Sequence, residues 1–242
     1  MKRAASYRED DPKQRAKTAD DPNDDTISIA DRAYKIIEAR IVQLKYPPGH
    51  SLSEHQLSQE LGISRTPVRE AFRRLAIDQL IEILPRRGAF VTDVEVKQYL
   101  HLLDLRRQIE KFMAIRAAKR ATPQQRAIMA QLAAELRAGM MDPEQAVFVY
   151  ADRAYKGLIV EMTRNPFVAG IIAPMHALSR RFWYCYRHQW NEDEAQVAIR
   201  HHLLVMDAVA AGDEAAADRA VQTLFGYLEG FAHRVLHNEH II

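Results

Sequence analysis

From Ser28 onward, apolar residues recur at three- and four-residue steps. Ile29, Ala33, Ile36, Ile37, Ile41 and Leu44 therefore fall on one face of a helix. Pro47-Pro48-Gly49 stops it. Ser53 stands three residues before Gln56, a capping-box spacing that opens a short helix carrying Leu57 and Leu61. Gly62-Ile63-Ser64 is a tight break, and Ser64 caps a third helix. That helix tolerates Pro67 in its first turn and packs through Val68, Ala71, Phe72 and Leu75. The pattern then changes period. Ile81 and Ile83, followed by Phe90 and Val91, flank an Arg86-Arg87-Gly88 turn and predict a two-stranded hairpin. Three helices and a hairpin outline a winged helix-turn-helix over residues 26–93.

Beyond residue 93 the pattern is helical throughout. Tyr99, Leu102, Leu103, Arg106, Ile109, Glu110 and Met113 begin a long helix that ends before Thr122-Pro123. Thr122-Pro123 and Asp142-Pro143 each place a capping residue before a proline, so each starts a helix. Asn165-Pro166 breaks the third, and Pro174 predicts a kink or a restart in the stretch that runs to Trp190. Asn191 caps the next helix, Gly212 sits where a left-handed C-terminal residue belongs, and Asp213 begins the last helix. The expectation is an all-α antiparallel bundle of six or seven helices over residues 94–242. The fold class is mainly α. Residues 1–25, charged and almost without large apolar residues, read as a disordered arm. That arm could reach DNA phosphates, although its six aspartates weaken the idea.

Composition narrows the classes. A single cysteine, Cys185, cannot form an internal disulfide, and only 9 glycines argue against sandwiches and barrels. The N-terminus lacks the apolar stretch of a signal peptide. The longest largely apolar run, Phe167 to Ser179, falls short of the roughly 18–20 residues that span a bilayer. The expected setting is the cytoplasm, with no membrane partner. Lys+Arg 34 against Asp+Glu 32 gives a net charge of only +2, which excludes a polybasic coat but not a local patch. Such a patch exists: Arg65, Arg69, Arg73, Arg74, Arg86 and Arg87 fall within residues 64–87, against Glu70, Asp78 and Glu82.

The patch carries chemistry that suits DNA. Ser64, Arg65 and Thr66 open the third helix, with Arg69 one turn on. Arginine at that end of a recognition helix can pair bidentately with guanine in the major groove. The Ser64 and Thr66 hydroxyls and the free amides of the first turn suit phosphate oxygens. Arg86 and Arg87 at the hairpin tip can reach the minor groove or the backbone. The plain alternative, a solvated arginine face, does not explain the helix order or the wing.

The lines Pro48-Gly49-His50-Ser51-Leu52-Ser53-Glu54, Leu61-Gly62-Ile63-Ser64-Arg65-Thr66-Pro67-Val68-Arg69-Glu70-Ala71 and Arg87-Gly88-Ala89-Phe90-Val91 resemble the signature of the GntR superfamily of bacterial transcription regulators. The resemblance implies DNA contacts by Arg65, Thr66 and Arg69, and by Arg87 and Gly88 at the wing. The family usually has arginine on the second helix where this chain has His55. A neutral imidazole makes a weaker phosphate contact, so the expected salt dependence is shallower.

Leu105-Arg106-Arg107-Gln108-Ile109-Glu110, Asn165-Pro166 and Ala211-Gly212-Asp213 are similar to the FCD domain, the helical effector-binding domain of the family's FadR-like branch. Many FCD domains hold a divalent metal through one Asp and three His, and the metal helps bind a carboxylate effector. Carried over, the aspartate is Asp152 and one histidine is His202. The other two positions hold Lys156 and Leu224. Two of four ligands are missing, and an ammonium stands where a metal would sit, so no metal site and no cofactor are expected. A metal would need substitute ligands. Lys156 can replace the metal's charge, pairing with Asp152 and with an effector carboxylate; the plainer alternative is a lysine stem along a half-exposed helix. Arg106 is the second candidate anchor. His233, His237 and His240 have metal-like spacing, but they read as a solvated helix end. His201 points about 100° away from His202 and out of its pocket. Of Phe182, Trp183, Tyr184 and Tyr186, only part can face inward.

The reading is a homodimeric, effector-responsive transcription regulator, with repression as the expected sense. It would bind a short double-stranded palindrome and a small organic acid, and it is not an enzyme. The alternatives are a regulator without an effector and a metal-dependent enzyme in the bundle. The latter lacks HExxH, Glu-x-x-His pairs and an activated nucleophile.

Overall fold

A computed structural model describes residues 27–139, 146–189 and 192–239. The arm at 1–25, the Asp142-Pro143 helix start, the Asn191 cap, the end of the aromatic stretch at Trp190 and His240 lie outside the described residues.

The first helix, α1 (Ile29–Val42), begins where Ser28 Oγ accepts the Asp31 amide. It ends before the apolar pattern does. Leu44 turns out of it with φ 60, and the Tyr46 amide donates to the Arg40 carbonyl. The residue before a proline avoids helical geometry, so the chain leaves the helix ahead of Pro47. Ile29, expected on the buried face, is 57% exposed. Helices α2 (Glu54–Leu61) and α3 (Arg65–Ile77) are joined by Gly62 at φ 65, a left-handed cap that a side chain would strain. The Ile63 amide then closes onto the Ser58 carbonyl. Ile37, Ile41, Leu57, Val68, Phe72 and Leu75 form the core these helices share.

The hairpin strands are β2 (Ile81–Leu84) and β3 (Gly88–Val91), antiparallel with Ile81 opposite Val91 and Leu84 opposite Gly88. A third strand, β1 (Ser51–Leu52), pairs on the other side of β3, giving the order β1-β3-β2. The sequence reading has only the hairpin, because two residues are too short to display an alternating pattern.

Six bundle helices follow among the described residues: α4 (Val96–Arg120), α5 (Pro123–Ala138), α6 (Ala146–Thr163), α7 (Val168–Tyr186), α8 (Glu192–Ala211) and α9 (Glu214–Glu239). Thr122 and Gln125 form a full capping box at the start of α5. Gly212 takes φ 74 after α8, and Asp213 Oδ1 accepts the Ala216 amide at the start of α9. Pro174 lies inside α7, which runs through it without a restart and ends at Tyr186, followed by a 3-10 turn over Arg187–Gln189. Helix α4 packs mainly against α9, and α5 against α8.

Two cores result, and α7 belongs to both. Its Ile172 and Phe182 lie in the bundle core, while Ala177 packs into the core of the winged unit. Arg180 pairs with Glu38 of α1 at 2.9 Å. Arg181, only 1% exposed, donates to Thr92 Oγ1 at 2.8 Å and to the Thr92 carbonyl just after β3. Burial lowers the Arg181 pKa to about 10, which leaves it charged at neutral pH. Among the described residues, no helix is long and apolar enough to cross a membrane.

Candidate functional site

At the winged end, the backbone sets out an exposed basic edge. Ser64 holds the N-cap position of α3, but its side chain makes no capping bond, so the first-turn amides point outward unblocked. Arg65, Thr66, Arg69 and Arg73 are exposed along α3, and His55 is exposed on the first turn of α2. The wing tip follows the pattern of a type II turn. Pro85 sits at the second position, Arg86 takes φ 63 at the third, and the Arg87 amide donates to the Leu84 carbonyl at 3.1 Å. Gly88 follows at φ 99, where a side chain would be strained, and Arg86 and Arg87 are both exposed.

Two arginines of the sequence cluster are held within the protein. Arg69 grips the Glu54 carboxylate of α2 through Nε at 3.1 Å and a terminal nitrogen at 3.0 Å. Arg74 pairs with Asp31 and lies 4.4 Å from the Tyr34 ring centroid, which ties α3 to α1. It is part of the packing between those helices, so the exposed basic edge is smaller than the sequence cluster that included it.

The second candidate site is a cavity of about 80 Å³ inside the bundle. Helix α4 supplies Tyr99 and Arg106, α6 supplies Asp152 and Lys156, α7 supplies Ser179, and α8 supplies His202. All four residues expected at an effector site therefore meet here. Lys156 Nζ lies 2.9 Å from Asp152 Oδ1, one turn apart on α6. His202 Nδ1 is 3.8 Å from the same carboxylate oxygen and shares a hydrogen bond with the Tyr155 hydroxyl. Arg106 is 2% exposed. It donates to Glu110 Oε1 through Nε at 2.9 Å and through a terminal nitrogen at 2.5 Å, and also to Ser179 Oγ. His176 Nε2 reaches the same Glu110 oxygen at 3.0 Å.

Glu110, His176, Ser179 and Tyr155 are not picked out by the sequence reading. Two signals were available. Arg106 and Glu110 form an i,i+4 ion pair on the face that carries Tyr99, Leu103 and Met113, and His176 is the one titratable residue in the apolar run from Phe167 to Ser179. Leu224 is buried beside Lys156, Glu110 and His176. An ammonium and an isobutyl group at two of the four ligand positions do not fit a divalent cation. Among the described residues, no group of three or more His, Cys, Asp or Glu is placed to hold one. His201 packs instead on the Tyr227 ring at 5.0 Å, and His233 and His237 are exposed. Of the aromatic run, Phe182 and Tyr186 are buried while Trp183 and Tyr184 are half-buried.

Burial dominates the electrostatics of this cavity. Desolvation lowers both His176 and His202 to about 4, so both are neutral at pH 7. Burial pushes Asp152 up, but the charge and hydrogen bond of Lys156, with the neighbouring His202 and His176, together outweigh it and hold Asp152 at about 2. The sign for stability follows. An unfolded histidine takes up its proton near 6.5, so between pH 6.5 and 4 the unfolded chain binds more protons and stability is lost as the pH is lowered. The loss is on the order of 3 kcal/mol per histidine, reached near pH 4. Asp152 adds its own loss only below about pH 4, as its carboxylate is protonated toward 2. We expect a Tm that drops steeply from pH 7 to pH 4.5 in buffered melts. His176→Asn and His202→Asn should each flatten that drop, and an unchanged slope in both variants would count against the assignment.

Compared with known proteins, residues 101–226 match the FCD domain and residues 29–91 match the bacterial regulatory proteins, gntR family. The chain is 29% identical over 221 residues to the galactonate operon transcriptional repressor of Escherichia coli (strain K12), covering 82% of this chain and 94% of that protein. It is 29% identical over 196 residues to the HTH-type transcriptional repressor RspR of the same strain, covering 81% of this chain and 85% of the other. Among solved structures, E. coli McbR/YncC superposes with a TM-score of 0.75 at 19% identity, covering 87% of this chain and 99% of that one. A putative transcriptional regulator GntR from Rhodococcus sp. RHA1 gives 0.62 at 20% identity, covering 85% and 98%. At such identities the structural likeness speaks to the fold alone.

Proposed function

This chain belongs to the gntR family of bacterial regulatory proteins, carries an FCD domain and is a transcriptional regulator, and from that premise we propose that it is a cytoplasmic homodimeric repressor whose operator affinity is set by a small carboxylate held in the bundle cavity without a metal. It acts by binding, not by catalysis. Ser64, Arg65 and Thr66 enter the major groove with Arg69, whose guanidinium exchanges Glu54 for DNA. His55 meets the backbone from α2, and Arg86, Arg87 and Gly88 bring the wing to the neighbouring groove or its phosphates. Two copies related by a two-fold axis read the two halves of a short palindrome. In the cavity, Lys156 and Arg106 receive the carboxylate, with Asp152 and His202 beside them. The two relatives named as repressors support the repressing sense.

One observation carries the link between the two sites. Helix α7 presents His176 and Ser179 to the cavity network, and the next two residues, Arg180 and Arg181, to the winged unit. An acid that draws Arg106 away from Ser179 changes what holds α7, and Glu38 and Thr92 feel the change directly. Coupling energies between such sites are typically about 1–3 kcal/mol, or five- to 150-fold in affinity.

The test uses an operator duplex selected from random sequence by the full chain, followed by fluorescence anisotropy with and without acids that raise the Tm. The parent should release the duplex when such an acid is added. Glu38→Gln and Arg181→Met should bind the duplex within about threefold of the parent and lose at least fivefold of the acid response. Variants that respond as the parent does would sink the role of α7. An absence of acid response in the parent would favour a regulator without an effector.

A further inference from the structure

Resting on that reading of the cavity, we propose that its ligand is a small monocarboxylate with an apolar, ring-sized body, and that polyhydroxylated acids are rejected. The cavity lining is of two kinds. Arg106, Lys156, Arg180 and Asp152 are its charged members, with Ser179 and His202 among the polar ones. Tyr99, Phe182, Trp183, Leu228 and Phe231 form much of the remainder. The aromatic wall is built rather than incidental. Tyr99 stacks on Phe182 with ring centroids 3.7 Å apart and planes 9° apart, and Phe231 meets Phe182 edge-on at 6.3 Å and 87°.

Charge sets the first requirement. Three cations, Arg106, Lys156 and Arg180, line the cavity against one lining carboxylate, Asp152, so the lining offers N–H donors to a ligand carboxylate. Glu110 and Glu38 pair with Arg106 and Arg180, as Asp152 does with Lys156, so the three cations supply donors for one carboxylate but no net charge to offset a second. A dianion would bring an uncompensated charge, and a zwitterion would press its ammonium toward Arg106 and Lys156.

Polar matching sets the second. A six-carbon sugar acid carries a hydroxyl on nearly every carbon, and each needs a partner once water is excluded. Phe182, Leu228 and Phe231 offer none, and Tyr99, Trp183 and Tyr184 offer one polar atom each, too few for such a chain of hydroxyls. Ser179 already accepts from Arg106, and His202 is already bonded to Tyr155. Hydroxyls buried against that wall lose their hydration without replacement, which costs tenfold or more in affinity. Size sets the third. At roughly 10–15 Å³ for each water position, about 80 Å³ holds roughly five to eight of them, the scale of a ring with one carboxylate.

The experiment is isothermal titration of the full chain at pH 7.5 with phenylacetate, hexanoate, D-gluconate and L-phenylalanine, with thermal shifts in parallel. Phenylacetate and hexanoate should bind and raise the Tm, while gluconate and phenylalanine bind at least tenfold more weakly. Leu228→Asn, at the half-buried side of the cavity, should weaken phenylacetate at least tenfold; if that variant does not fold, the ranking of the four acids decides. Gluconate binding as tightly as phenylacetate would overturn the apolar body and leave the carboxylate-effector reading standing. Phenylalanine binding more tightly would overturn the requirement for a monoanion. If no acid binds a chain that still binds its operator, both this inference and the effector half of the proposed function fall.

Discussion

Arg65→Ala should weaken binding to the selected operator by roughly 30- to 10⁴-fold while leaving non-specific DNA binding within a fewfold of the parent. Arg65 is exposed in the first turn of α3, next to first-turn amides that no side chain caps. It is the arginine on this helix placed nearest the end that enters the groove. A bidentate pair with guanine is worth about 1–3 kcal/mol, and a two-fold symmetric complex loses it at both half-sites, hence about 2–6 kcal/mol. The comparison that isolates this effect is Arg87→Ala at the wing tip. It should weaken operator and scrambled duplexes alike and make the salt slope shallower. Anisotropy titrations at two or more salt concentrations measure both. A specificity ratio unchanged in Arg65→Ala would remove Arg65 from base reading. Arg69→Ala is a weaker discriminator, because it also frees Glu54, whose charge then faces the phosphates.

The second large effect concerns the cavity. Lys156→Met should lower the Tm by roughly 6–20 °C, from a loss of about 3–5 kcal/mol. The ammonium and the Asp152 carboxylate are both mostly buried and lie 2.9 Å apart. Removing one partner leaves a buried charge that His202, neutral and 3.8 Å away, does not compensate. The Asp152 pKa, now about 2, should rise above its unfolded value. A group shifted in that direction gains stability as pH falls, so the deficit of the variant should shrink toward acid. Adding Asp152→Asn should restore most of the lost stability, because the desolvation cost of the carboxylate goes with it. Chemical denaturation of the parent, both single variants and the double variant gives the coupling. Simple additivity would mean that the pair contributes nothing as a pair.

Much of the fold is legible along the chain because its signals are local. Ser53 accepts the amide three residues on, as its spacing predicts, Thr122 caps the helix that opens at Pro123, and Gly62 and Gly212 adopt the left-handed caps that stop α2 and α8. Where the reading departs from the structure, a non-local or very short feature decides. Strand β1 has two residues and exists through its pairing with β3. Pro174 breaks no helix because α7 is held on both sides by packing. The site divides in the same way. Arg65, Thr66, Arg86 and Arg87 are exposed, and Arg106, Asp152, Lys156 and His202 line one cavity. Nothing along the chain separates Arg69 and Arg74 from the other arginines of the cluster, because their partners, Glu54 and Asp31, lie on other helices.

By itself, the sequence determined most of the helices, the caps at Ser53 and Thr122, the wing and the concentration of arginine between residues 64 and 87, since each depends on neighbours within a few residues. It also carried Lys156 and Leu224 at positions where the resemblance to the FCD domain implies histidine. Only the tertiary structure decided that Glu110, His176, Ser179 and Tyr155 join the cavity, that its wall is aromatic, and that α7 touches both the cavity and the winged unit. Those facts depend on which helix faces cross, and the free energy of a buried charge is set by what surrounds it in space rather than along the chain.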